Sequence, residues 1–172
     1  MQLIPANEND VYQYFYANPL FYTECGYKNG SFSRQLFLIK NKEIVGFCGI
    51  RFVSIVDFAH NANIVVPSLG PTYIRPSFRH QGFHRFTIRE RINFLLKNLH
   101  LDFYRTDFVD FGGRKIQLFP ILCLVDFSSS SYKNLLKENF YKISSQSLFF
   151  QKNVKDEMDC LYVKYIFYPL SG

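Results

Sequence analysis

Apolar side chains recur at Ile88, Ile92, Leu95 and Leu99, a three-to-four-residue spacing that builds one stripe along a helix. Arg89, Glu90, Asn93 and Lys97 fall mostly off that stripe. Just upstream, Thr72–Ile74 reads as a strand closed by Pro76, with a basic loop turning on Gly82 between strand and helix. At the start of the chain Met1–Ala6 predicts a strand, and Asn7 is placed to cap a helix carrying Glu8 and Asp10 in its first turn. Val11, Phe15 and Leu20 supply that helical region's apolar face, and Pro19 ends its first helix. Gln35–Lys40, a turn at Asn41-Lys42 and Glu43–Val53 make a hairpin, in which Gly46 and Gly49 mark close packing or a bulge.

The middle and end of the chain continue the alternation. Pro67 and Pro71 flank Ser68-Leu69-Gly70, so the strand there departs from a neighbour. Residues 22–34 are rich in Gly, Asn and Ser and read as a loop or an irregular second helix. Residues 102–119, around Gly112-Gly113, read as an inserted hairpin, and Ile121–Val125 as a buried strand. A serine run precedes a helix carrying Tyr132, Leu135 and Leu136, and Gln146–Lys152 with Asp159–Tyr168 forms a closing hairpin. The fold expected is a single α+β domain over 1–172, with a mixed, mostly antiparallel sheet of six to seven strands flanked by helices.

Composition narrows the class. With 172 residues, 48% of them hydrophobic and 19% aromatic, the chain can bury a substantial core and is not a disordered segment. No apolar run is long enough to cross a bilayer, and the polar start is unlike a signal peptide, so the expectation is a cytoplasmic protein without a membrane partner. The four cysteines lack metal-ligand spacing, and Cys48 and Cys123 lie in apolar runs as buried free thiols. The formal charge of +6 favours anionic ligands, but without a dense Lys/Arg run it argues against nucleic acid.

The loop Arg79-His80-Gln81-Gly82-Phe83-His84-Arg85 is the candidate for chemistry, because a helix opens there with unpaired N–H groups and a positive dipole end. Ile74-Arg75-Pro76-Ser77-Phe78-Arg79-His80-Gln81-Gly82-Phe83-His84 resembles the signature of the GNAT superfamily of acyl-CoA-dependent N-acetyltransferases. Arg79 and Gly82 match that signature, and His84 replaces its small residue. The opening LIPANENDV, the hairpin with its Val-Gly step and the late Asn139-Phe140 are similar to the same family in element order.

The resemblance implies splayed central strands that admit acetyl-CoA or another acyl-CoA as co-substrate. It implies that Thr72, Tyr73 and Ile74 pair with the pantetheine arm and that backbone groups of His80, Gln81, Gly82, Phe83, His84 and Arg85 cradle the pyrophosphate, with Arg79 or Arg85 adding charge. Ser128 stands at the family's cofactor-side Asn, and Leu135 at its thiolate-facing Tyr. Tyr132, one turn earlier, is the substitute proton donor or else a packed tyrosine. His60 is the candidate general base or else a solvated turn histidine. The function implied is direct acyl transfer to an amine of a small metabolite, an amino-sugar or similar; the alternative is a catalytically silent acyl-CoA-binding or interaction protein of that fold. A homodimer is compatible with either reading.

Overall fold

The computed structural model describes residues 1–25, 34–57, 62–98, 108–111, 114–126, 129–143 and 159–169. Its elements are β1 (Gln2–Ala6), α1 (Glu8–Ala17), α2 (Pro19–Cys25), β2 (Arg34–Lys40), β3 (Glu43–Asp57), β4 (Ala62–Ile74), a 3-10 turn (Pro76–Phe78), α3 (Phe83–Asn98), β5 (Phe108–Phe111), β6 (Arg114–Asp126), α4 (Tyr132–Lys137), β7 (Tyr141–Ile143) and β8 (Asp159–Pro169). Strand pairing follows the order β1-β2-β3-β4-β6-β8-β7, with the short β5 added on β6. The α+β class and the mixed, mostly antiparallel sheet are as expected. Among the described residues no helix is long and apolar enough to cross a membrane. The chain divides into two compact units, Met1–Arg51 with Leu69–Lys97, and Phe52–Ser68 with Asn98–Gly172.

In the first unit Asn7 caps α1 as predicted, its Oδ1 accepting from the Asp10 N–H at 2.8 Å. β1 pairs antiparallel with β2, and β2 with β3 through a turn in which Asn41 and Lys42 have φ of 50° and 67°. Two left-handed residues match the twist of a two-residue hairpin. Period-two alternation then sorts the core onto two faces. Phe37, Phe47 and Tyr73 pack with Val11, Phe15 and Phe21 of α1 and α2. Leu38 and Ile74, next in sequence to Phe37 and Tyr73, pack with Val45 and with Phe83 of α3. Val45, two residues from Phe47, reaches this face through the irregularity that leaves it out of the β2–β3 register. The register slips between Leu38 and Ile39, and a Cβ on Gly46 would lie 2.7 Å from the Tyr73 carbonyl oxygen, so the predicted close approach is real.

One expectation here needs correction. Leu20 is 79% exposed, and Phe21 is buried in its place. The reason is that α1 stops at Ala17 and α2 restarts on Pro19, which resets the helical phase.

In the second unit β6 pairs antiparallel with β8 from Ile116↔Pro169 to Asp126↔Asp159. β7 joins the other edge of β8, and β5 pairs antiparallel with β6. β6 runs unbroken through Pro120 and so joins the end of the 102–119 segment to the strand read at 121–125. Ile121, Leu122, Val125, Leu135, Phe140, Tyr162 and Val163 are buried. Among the described residues the parallel β4–β6 pairing is limited to Ser68↔Leu122. Cys123 is only half-buried, unlike the fully buried Cys48, although Ile121 and Val125 on its own side of β6 are buried. The expected strand at 146–152 lies outside the described residues, and it is Tyr141–Ile143 that pairs with β8.

Candidate functional site

The β4–α3 junction carries the candidate site. Pro76 stops the strand and starts the 3-10 turn, and the next two bends place His80 at φ 62° and Gly82 at φ 79°. Both are exposed, and a Cβ on Gly82 would meet nothing within 4 Å. The bond from the Phe86 N–H to the Gly82 carbonyl, 3.1 Å, opens the helical ladder of α3. The amides of Phe83, His84 and Arg85 therefore point out of the end of a 16-residue helix, where its dipole is positive. Left-handed residues in such a turn aim successive N–H groups into one concavity, which suits an anion.

Side chains brace this turn from three directions. Arg79 Nε donates to the Ile74 carbonyl at 2.9 Å, with the guanidinium 5.7 Å from the Tyr73 ring. Gln81 Nε2 donates to the Ser77 carbonyl at 3.2 Å, and its Oε1 accepts from Lys40 Nζ at 3.3 Å. Lys40 lies 5.6 and 5.1 Å from the ring centroids of Phe78 and Phe83, which stack on each other.

Behind the turn, Arg91 of α3 is 1% exposed. Its Nε donates to the Thr87 carbonyl (3.1 Å), its Nη1 to the carbonyls of Gly49 (3.0 Å) and Gly70 (2.8 Å), and its Nη2 to Thr72 Oγ1 (2.9 Å). Hydrogen bonds from a charged donor are worth about 1.5–3 kcal/mol each, which offsets the cost of burying the cation. His84 sits on the same side. Burial, and secondarily the Arg91 charge, lower its pKa to about 4, so it is neutral at pH 7. Cys48 is buried near the same cation, and burial raises its thiol pKa.

On the α1–α2 face the Tyr73 hydroxyl donates to Glu24. Burial, with Glu24 adding to it, pushes the Tyr73 pKa up to about 12. Arg75 binds Glu43 at 2.9 Å, donates to the Tyr14 hydroxyl and lies 5.4 Å over the Phe21 ring. Beside them opens a cavity of ≈ 560 Å³ lined in part by Asn18, Pro19, Phe21, Glu24, Arg75 and Ser77.

Thr72, Tyr73, Ile74 and the loop from Arg79 to Arg85 thus meet in one unit. The Arg75 N–H binds the Val45 carbonyl on β3 at 2.9 Å, and the Tyr73 carbonyl also faces β3 at Gly46. Main-chain groups alternate between edges along a strand, so those of Thr72 and Ile74, rather than Tyr73, face away from β3. Tyr132 opens α4, half-buried and one turn before the buried Leu135. His60 and Ser128 lie outside the described residues. Sequence reasoning missed Arg91, Thr87 and Lys40. A signal for Arg91 existed: it occupies the apolar stripe between Ile88 and Ile92.

No family model and no curated protein matches this sequence. Solved structures do match its fold. Arabidopsis thaliana NAA60, solved with acetyl-CoA, superposes with a TM-score of 0.57 at 11% identity, covering 96% of this chain and 98% of that one. The Escherichia coli ribosomal-protein-S18-alanine N-acetyltransferase gives 0.52 at 12% identity over 99% and 94% of the two chains. The ribosomal-protein-alanine N-acetyltransferase of Brucella melitensis gives 0.51 at 11% identity over 99% and 100%. The chain has the fold of the GNAT acetyltransferases.

Proposed function

We propose that this protein is an acyl-CoA-dependent N-acyltransferase that passes an acyl group directly to the amine of a small metabolite, an amino-sugar or similar. One observation carries the reading: the exposed turn at His80 and Gly82, with its outward amides, stands at the head of α3 on a GNAT fold. The residues present fit the cofactor. The open space above Gly82 is where backbone can approach a pyrophosphate, and Arg79, Arg85 and Lys40 surround the turn with positive charge. The main-chain groups of Thr72 and the N–H of Ile74, whose carbonyl is held by Arg79, are offered to a pantetheine arm as a neighbouring strand would offer them.

Acetyl-CoA, or another acyl-CoA, supplies the acyl group as a thioester. This chain's residues bind and orient it, so that catalysis rests chiefly on positioning. His60 serves as the base that relieves the acceptor amine of its proton, and Tyr132 returns a proton to the departing sulfur. Ser128 assists on the cofactor side. The cavity beside Glu24 and Arg75 has the size and mixed lining of a small-molecule site, which favours a compact polar acceptor. A protein α-amine is the second acceptor reading, favoured by the two ribosomal-protein-alanine N-acetyltransferases among the fold relatives.

Titration with CoA tests the reading. At about 100 times its Kd, CoA adds about 2.7 kcal/mol to the folded state and raises Tm. Gly82→Asp puts bulk and negative charge into the cradle and abolishes that rise while the apo protein stays folded. A native protein whose Tm ignores CoA would end the acyl-CoA reading.

A further inference from the structure

Three alternate positions of β4 are tied to the segment that bears the cradle. Gly70 and Thr72 are held by Arg91 of α3, and Ile74 is held by Arg79 of the turn. Arg91 is the stronger tie, because the same Nη1 that takes the Gly70 carbonyl also takes the Gly49 carbonyl on β3. A planar guanidinium fixes the angle as well as the distance between its acceptors, which a lysine or an apolar side chain cannot do. The acceptors are three carbonyls and a hydroxyl, so the cation is buried for what it joins. Arg75 pairs with Glu43, and Arg91 has no part in that ion pair.

We propose that Arg91 is a positioning residue that sets the register between the amide cradle of α3 and the Gly70–Ile74 edge of β4, so that one acyl-CoA engages both. The role rests on the acyl-CoA reading above. A ligand gripped at the pyrophosphate and along the pantetheine gains from both grips only if their spacing is preset. Removing Arg91 leaves the cradle intact at the helix end, two turns away, since α3 rises about 5.4 Å per turn. What is lost is the fixed course of β4.

The test separates the two halves of the cofactor. Titrate the native protein and its variants with CoA and with adenosine 3′-phosphate 5′-diphosphate, which keeps the pyrophosphate and lacks the pantetheine. Arg91→Met is expected to weaken CoA about tenfold and the nucleotide less than about twofold. Gly82→Asp weakens both. Because Arg91→Met can unfold the chain, Thr72→Val provides a gentler cut that removes one bond and keeps the cation. It weakens CoA alone, by about threefold, and Thr72→Ser, which retains the hydroxyl, restores the affinity.

An Arg91→Met or Thr72→Val protein that binds CoA as the native one does overturns the proposal. So does an equal loss for CoA and nucleotide, which marks general structural support. If the native protein binds neither ligand, the acyl-CoA reading fails first and this role falls with it.

Discussion

His84 stands where the GNAT signature carries a small residue, and the structure shows what a large one does there. Its imidazole is mostly buried beside Arg91, so protonation would place a second positive charge in the same desolvated surroundings. The folded pKa, about 4, lies below the ordinary histidine value of 6.5. A depressed folded pKa contributes stability that is complete above the unfolded value and is lost as pH falls through the interval down to the folded one. The expected result is a loss of up to about 3 kcal/mol between pH ~6.5 and ~4. Measured Tm against pH shows this as a slope in that window, beyond the acid sensitivity of the carboxylates. His84→Gln, which cannot gain the charge, flattens the slope there, and an unchanged slope in that variant removes His84 as its source.

At the scale of elements, β3 and β4 are pressed together at Gly46. Here space, not backbone conformation, requires glycine: a Cβ would come within 2.7 Å of the Tyr73 carbonyl, and backbone cannot swing aside as a side chain can. Gly46→Ala is therefore expected to cost about 1–3 kcal/mol of stability, read as a lowered Tm. Gly82→Ala meets no atom and costs only the left-handed strain of its φ, about 1 kcal/mol. A Gly46→Ala protein as stable as the native one would mean the strands separate more easily than their packing implies.

Much of this was legible in the sequence. The strand runs of β2 and β3, the Asn7 cap and the Ile88-Ile92-Leu95 stripe follow from local sequence, and the structure forms the strands and the cap and buries the stripe as predicted. The turn before α3 was legible too, since proline and glycine announce a strand end and a turn. Arg91 was legible only as a charge set within the apolar stripe; its role was not, because the acceptors that hold it cannot be read locally. Those acceptors, Gly49 and Gly70, come from distant parts of the chain. Lys40 was hidden for the same reason, reaching Gln81 across 41 residues of sequence. Leu20 misled because periodicity cannot show that one helix has become two.

For the molecule as a whole, charge separates two ways of favouring a polyanion. The chain carries a formal +6, and exposed or half-exposed cations surround the cradle. Long-range attraction from such charges speeds encounter, whereas the cradle's backbone amides act only at contact. The screening length shrinks from about 14 Å at 0.05 M salt to about 4 Å at 0.5 M, so attraction over distance fades while contacts of 3 Å persist. Arg79 and Lys40 are already engaged with Ile74 and Gln81, which limits what they add once the ligand is seated. CoA association measured by stopped flow is therefore expected to slow about three- to tenfold over that salt range, with the dissociation rate changing less than about twofold. Uncharged pantetheine serves as the control and shows no salt dependence in either rate. If instead dissociation quickens and association holds steady, the side-chain cations grip the bound ligand and the net charge does not steer it.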